Sequence, residues 1–169
     1  PDMPAALQSK AVDAVTSGEP FMAQTEMDGY GRVLYQAKEL WPNFISCVLA
    51  VHERVIQEQP EVVQQLVDGI ARSGKWLDAD IEHRMEASQD VAQQYYHQDP
   101  RLLRFVLSKP PDRVTYSNLM LAQKDFEEIE ALALEAGILE GPIPFQEYTD
   151  TSFSEKTQGI EPYQWNPGK

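Results

Sequence analysis

The residues in this chain best placed to do chemistry are Thr16, Ser17, Gly18 and Glu19, closed by Pro20. Two hydroxyls, a carboxylate and the N–H groups around a glycine follow the apolar run Val12, Ala14 and Val15. At the carboxyl end of a buried strand such a set offers donors and acceptors to a small ligand. Gly18 absorbs a dihedral change and Pro20 fixes φ beyond it, so the stretch reads either as a hinge or as a plain turn. The other reactive groups are scattered. His83 with Glu82 or Glu86 makes a metal corner of the kind a Glu-rich helix produces by chance, and His52 and His97 stand apart from it. Cys47 is the single cysteine, and no nearby His and Asn or Asp complete a thiol-hydrolase pattern. Asp125, Glu127, Glu128, Glu130 and Glu135 lie opposite an apolar stripe and read as a solvated face. Trp41, Trp76 and Tyr35 are candidates to line a pocket or to pack a core. No HExxH, P-loop, GxGxxG or GxSxG motif occurs. The expectation is therefore no catalytic residue, no cofactor and no metal.

Helices and strands must position these groups. Asp2 is placed to cap a short helix through Met3 to Leu7, and Val12 to Val15 reads as a strand. A helix follows from Phe21 and stops at Gly29 and Gly31; Arg32 to Ala37 then reads as a second strand. Phe44 to Val51, FISCVLAV, is apolar throughout and rich in β-branched residues, the pattern of a central strand buried on both faces. Glu53 to Gln59 looks helical, and Pro60 opens a long helix whose stripe Val63, Leu66, Val67, Ile70, Gly74 and Leu77 is expected to face the core. Further helices are expected over Asp80 to His97, from Asp99-Pro100 to the stop at Pro110-Pro111, and from Lys124 to Ala136 with Gly137 as its terminator. From Ser154 a loose tail is expected.

The chain has 169 residues, 42% apolar and 24% charged, enough for one domain or one domain and part of another. Its net charge of -13 argues against nucleic acid or an anionic membrane as partner. Nothing approaches the roughly 18 apolar residues of a membrane span, and residues 1–10 do not resemble a signal peptide. Three strands are too few for a closed sheet. Either an absent segment or a dimer partner is expected to complete it.

The run MPAALQSKAVDAVTSGEPF, the GYGRVL segment, WPNFISCVLAVHERVIQEQPEVVQQLVDGIARSGKWLD, PPDRVTYSNL and KDFEEIEALALEAGIL resemble, in this order, the carboxyl-terminal half of an ABC-importer solute-binding protein. The class is the one serving nitrate, bicarbonate, sulfonates, taurine and thiamine precursors. The resemblance implies an α/β chain, the helix-rich part of a type II periplasmic-binding-protein fold with its sheet incomplete, and it implies that the absent segment is an amino-terminal half. It implies that residues 1–17 end a second lobe, 18–20 form the hinge, 21–153 belong to the first lobe and 154–169 form the tail. It assigns ligand contacts to Thr16, Ser17, Glu19, Trp41, Ser46 and Cys47, and the hinge to Gly18 and Pro20. Family members usually carry Gly where this chain has Lys10, and His-Pro-Cys where it has Phe44, Ile45 and Ser46 before Cys47. The Lys that nitrate and bicarbonate binders place near this point has no counterpart, which points away from those anions.

The function implied is capture of a small anionic or heterocyclic nitrogen or sulfur compound and its delivery to an ABC permease, in the periplasm or on an extracytoplasmic anchor, without catalysis. Two alternatives remain at this level. One is an enzyme like the thiamine-pyrimidine synthases, although their cysteine-rich iron motif is missing from a chain with Cys47 alone. The other is a ligand-sensing or interaction module on the same fold.

Overall fold

Every regular element among the described residues is a helix. The computed structural model describes residues 2–42, 44–94, 98–116 and 118–164. The elements are α1 (Met3–Gln8), α2 (Phe21–Met27), α3 (Ala37–Leu40), α4 (Glu53–Glu58), α5 (Pro60–Ala79), α6 (Ile81–Gln94), α7 (Pro100–Ser108), α8 (Gln123–Glu135), α9 (Phe145–Tyr148) and α10 (Ser152–Glu155). The expected α/β class, as part of a type II periplasmic-binding-protein fold, is therefore corrected: no strand forms among these residues. Residues 12–15 and 32–36 are irregular, with Ala37 already inside α3. Phe44 to Val51 is non-helical and largely open to solvent, with Val48 56% and Leu49 48% exposed. The physical reason is that a strand exists only as part of a ladder. An apolar run supplies burial but not the neighbouring backbone that must accept and donate its hydrogen bonds.

The helix boundaries follow local chemistry. Asp99 caps α7 by accepting from the Arg101 N–H at 2.8 Å, and Pro100 occupies the first turn, where its missing N–H costs nothing. Gly29 after α2 and Gly137 after α8 take positive φ, 75° and 67°, the left-handed terminator that disfavours other residues. Gly31 has a different cause. A Cβ there would stand 2.7 Å from the Thr25 Oγ1, so the chain passes too close to α2 for any side chain.

The chain divides into two units, one of Pro1–Pro42 and Trp76–Tyr116, the other of Asn43–Lys75 and Ser117–Lys169. In the first, α2 packs on α7 around Ala23, Leu102 and Val106, with Phe105 and Val114 against them, and α6 packs on α7 in turn. Arg84 of α6 is almost wholly buried there. Its guanidinium donates to the carbonyls of Leu77, Pro111 and Val114 at 3.1, 2.8 and 2.9 Å and pairs with Asp78, whose second oxygen accepts from the Tyr116 N–H at 2.6 Å. One cation thus ties the end of α5, α6 and the 111–116 segment together. His83 stacks on Trp76 at 4.6 Å, with its Nδ1 2.7 Å from the Trp76 carbonyl oxygen.

In the second unit the expected α5 stripe is rotated. Val63, Ala71 and Gly74 are buried, whereas Leu66 and Ile70 face solvent. The segment expected to be a loose tail bonds to α5 instead. Lys75 donates to the Ile160 carbonyl at 2.8 Å and the Tyr163 N–H to the Arg72 carbonyl at 3.1 Å, while Gln64 donates at 3.0 Å to the carbonyl of Phe153, the residue just before that segment. Phe153 is the apolar anchor of this packing, at 8% exposure.

Candidate functional site

Helix α2 begins at Phe21 with Pro20 at the capping position, and a proline side chain has no hydrogen bond to give. Glu19 takes over that role. Its Oε2 accepts from the Ala23 N–H at 2.9 Å, and its carboxylate stands at the positive end of the short helix. Its other oxygen accepts from Arg113 at 2.8 Å, and the same guanidinium donates at 2.8 Å to Glu26 on α2. The Arg113 Nε donates to the Lys109 carbonyl at 2.7 Å, and the guanidinium carbon lies 5.1 Å from the centroid of the Phe105 ring. With its side chain 5% exposed, Arg113 is a buried cation shared by two carboxylates. Burial pushes its pKa down, but the hydrogen bonds to Glu26 and Glu19 outweigh this and hold it above its ordinary value. The triad carries a net charge of about -1 and fixes the residue that precedes Pro20.

Thr16, Ser17 and Gly18 lead into this anchored residue. Neither the Thr16 nor the Ser17 hydroxyl has a hydrogen-bond partner among the described residues, and Thr16 is exposed. A Cβ on Gly18 would meet nothing within 4 Å. The stretch therefore has one open end bearing two free hydroxyls and one end pinned by Glu19. The Glu19-Pro20 peptide is cis.

Trp41, in the same unit, is half-buried at the end of α3, its N–H donating to the Ala37 carbonyl at 2.8 Å. Ser46 and Cys47 belong to the second unit and are exposed, with the Cys47 sulfur 4.0 Å from the Ser46 hydroxyl. Cys47 is thus a free surface thiol and not the buried core residue expected of a central strand. Thr16, Ser17, Glu19 and Trp41 belong to the first unit and Ser46 and Cys47 to the second.

Arg113 is the residue that sequence reasoning missed. Arg113 and Glu19 are 94 positions apart, and no local pattern signals a pairing across that distance. Among the described residues no group of three or more His, Cys, Asp or Glu side chains is arranged to hold a metal ion. No described helix is long and apolar enough to cross a membrane.

Residues 1–93 match the family model described as the NMT1-like family. The chain belongs to the NMT1-like family. The match covers more than half of its length, including Thr16 to Pro20, Trp41, Ser46 and Cys47, and it leaves Arg113 outside. No curated protein and no solved structure gives a significant match. Membership bears out the resemblance to solute-binding proteins of the nitrate, sulfonate and taurine type, and it gives this NMT1-like chain a substrate-binding, transport-related role toward a small molecule.

Proposed function

We propose that this NMT1-like protein is the non-catalytic solute-binding component of an ABC importer, taking up a small anionic or heterocyclic nitrogen or sulfur compound outside the cytoplasm and passing it to a permease. The observation that carries this reading is the family match over residues 1–93, which spans α1, Thr16–Pro20 and most of α6. In this reading the Thr16 and Ser17 hydroxyls hydrogen-bond the ligand. Gly18 is the pivot, and Glu19, held by Arg113 and by the α2 N-terminus, is the fixed post against which the pivot turns. In the same reading Trp41 supplies the apolar part of the site, the usual division of labour in a small-molecule site. The triad already satisfies its one buried guanidinium with two carboxylates, which favours a neutral heterocycle over an anion at the Glu19 end.

Titration calorimetry of the full-length protein with a sulfonate, taurine, nitrate and an aminopyrimidine tests this. Binding of one of them, weakened by Thr16→Val or Ser17→Ala, is the expected result. Absence of heat with all four would remove the transport reading.

A further inference from the structure

The second unit holds a feature that the solute-binding role does not use. The face of α8 bearing Glu127 and Glu130 borders a depression of about 200 Å³, whose other walls come from Ile143, Pro144, Phe145 and Tyr148. These residues lie wholly outside the part of the chain that matches the NMT1-like family.

The walls are held in place. The Ile143 N–H donates to the Glu130 Oε1 at 2.6 Å, which ties the proline-flanked loop to α8. The Thr149 hydroxyl closes the single turn of α9 by donating to the Phe145 carbonyl at 2.6 Å. Phe145 and Tyr148 stand edge to face, with centroids 5.8 Å apart and planes at 85°. Phe126, also on α8, contacts both rings, at 5.3 and 5.7 Å. The result is an aromatic corner with two carboxylates beside it. Glu127 accepts from the Gln123 side chain at 2.7 Å, and neither it nor Glu130 forms an ion pair among the described residues. The Tyr148 phenol registers the same surroundings: loss of water raises its pKa, and the charges of Glu130 and Glu127 raise it further.

Ring faces are electronegative, and two unpaired carboxylates add to that potential within a small concavity. An anion is repelled here. A hydrated divalent metal would exchange water for too few oxygens, since calcium takes about six to eight and magnesium about six. An organic cation satisfies both surfaces, with its alkyl groups against the rings and its charge toward Glu127 and Glu130. The depression is smaller than the roughly 300–1,000 Å³ of pockets for drug-sized ligands, which limits the ligand to a small one.

We propose that the Glu127, Glu130, Phe145 and Tyr148 corner binds a small organic cation of the alkylammonium class. The test uses the intact chain, tetramethylammonium chloride as probe and tert-butanol as its neutral counterpart of similar size, followed by NMR shifts of the Tyr148 ring. Tetramethylammonium should bind about fivefold or more tightly than tert-butanol. The double variant Glu127→Gln, Glu130→Gln should lose about that factor, because its amide oxygens still accept from Ile143 and Gln123 while the charge is gone. Phe145→Ala, read on the retained Tyr148 ring, should weaken binding as well, with helix content unchanged by circular dichroism. Equal binding of the two probes, no response of Tyr148, or full affinity in the uncharged double variant would overturn the proposal. So would co-sedimentation with phosphatidylcholine vesicles without binding of free tetramethylammonium, since a lipid surface would then be the partner.

Discussion

Replacing Arg113 with Met removes the cation that, among the described residues, pairs with both Glu19 and Glu26, and the cost can be assembled from the geometry. The hydrogen bond to Glu19 is charge-assisted and its acceptor is only 19% exposed, so its loss costs about 2 kcal/mol. Glu26 is 37% exposed, and solvent screening reduces its share to about 0.5 kcal/mol. Met still covers Phe105 but forfeits the cation–π attraction, about 0.5 kcal/mol more. The total is about 3 kcal/mol, which for a chain of this length lowers the melting temperature by roughly 6–12 °C. Thermal melting followed by circular dichroism at neutral pH measures it. Because the chain has two units, the transition to read is the one that shifts in the variant. Adding Glu19→Gln to Arg113→Met should cost little further, since the orphaned carboxylate is what the first change leaves behind, and the two changes should couple by about 1.5 kcal/mol. A drop of less than about 2 °C for Arg113→Met, or strict additivity of the pair, would show that the triad is not a joint electrostatic anchor.

Three other outcomes follow from the same structure. A Cβ on Gly18 meets no atom within 4 Å, so Gly18→Val should leave the melting temperature within about 2 °C while weakening solute affinity in the full-length protein; unchanged affinity would make the stretch an ordinary turn. Arg84→Met removes the cation paired with Asp78 and the donor to several carbonyls in the first unit, a loss of about 3–5 kcal/mol, and Asp78→Asn in the same chain should recover part of it; a near-neutral Arg84→Met would refute the buried-ion account. The side-chain hydrogen bond from Arg101, followed by that of the Arg101 N–H, holds the Asp99 pKa below its ordinary 3.8, so this contribution is present above that value and is lost as the pH falls through the lower folded one. The Arg101 amide resonance should stay fixed down to about pH 4 and move only below it, and a transition centred above about pH 4 would contradict the cap.

Some of this chain could be read residue by residue because the deciding interactions are local. Asp99-Pro100 opens α7 and Pro110-Pro111 follows its end, while Gly29 and Gly137 terminate α2 and α8, all through contacts within a few positions. Family membership was legible for a related reason: the residues that carry it run in order along the first 93 positions. The α5 stripe was half right. Periodicity fixes that one side is apolar, but the neighbouring segments decide which part of that side is covered, and here Val63, Ala71 and Gly74 are buried while Leu66 and Ile70 are not.

Thr16, Ser17, Gly18, Glu19 and Pro20 were visible at once as a polar stretch in which a glycine and a proline flank a carboxylate. Arg113, arriving from 94 positions away, fixes one end of that stretch and makes Glu19 an anchor. The strands marked at Val12 to Val15, Arg32 to Ala37 and Phe44 to Val51 failed for the complementary reason. A helix closes its hydrogen bonds within its own sequence, so its sequence can specify it, whereas a strand borrows them from a neighbour that the sequence of the strand does not contain.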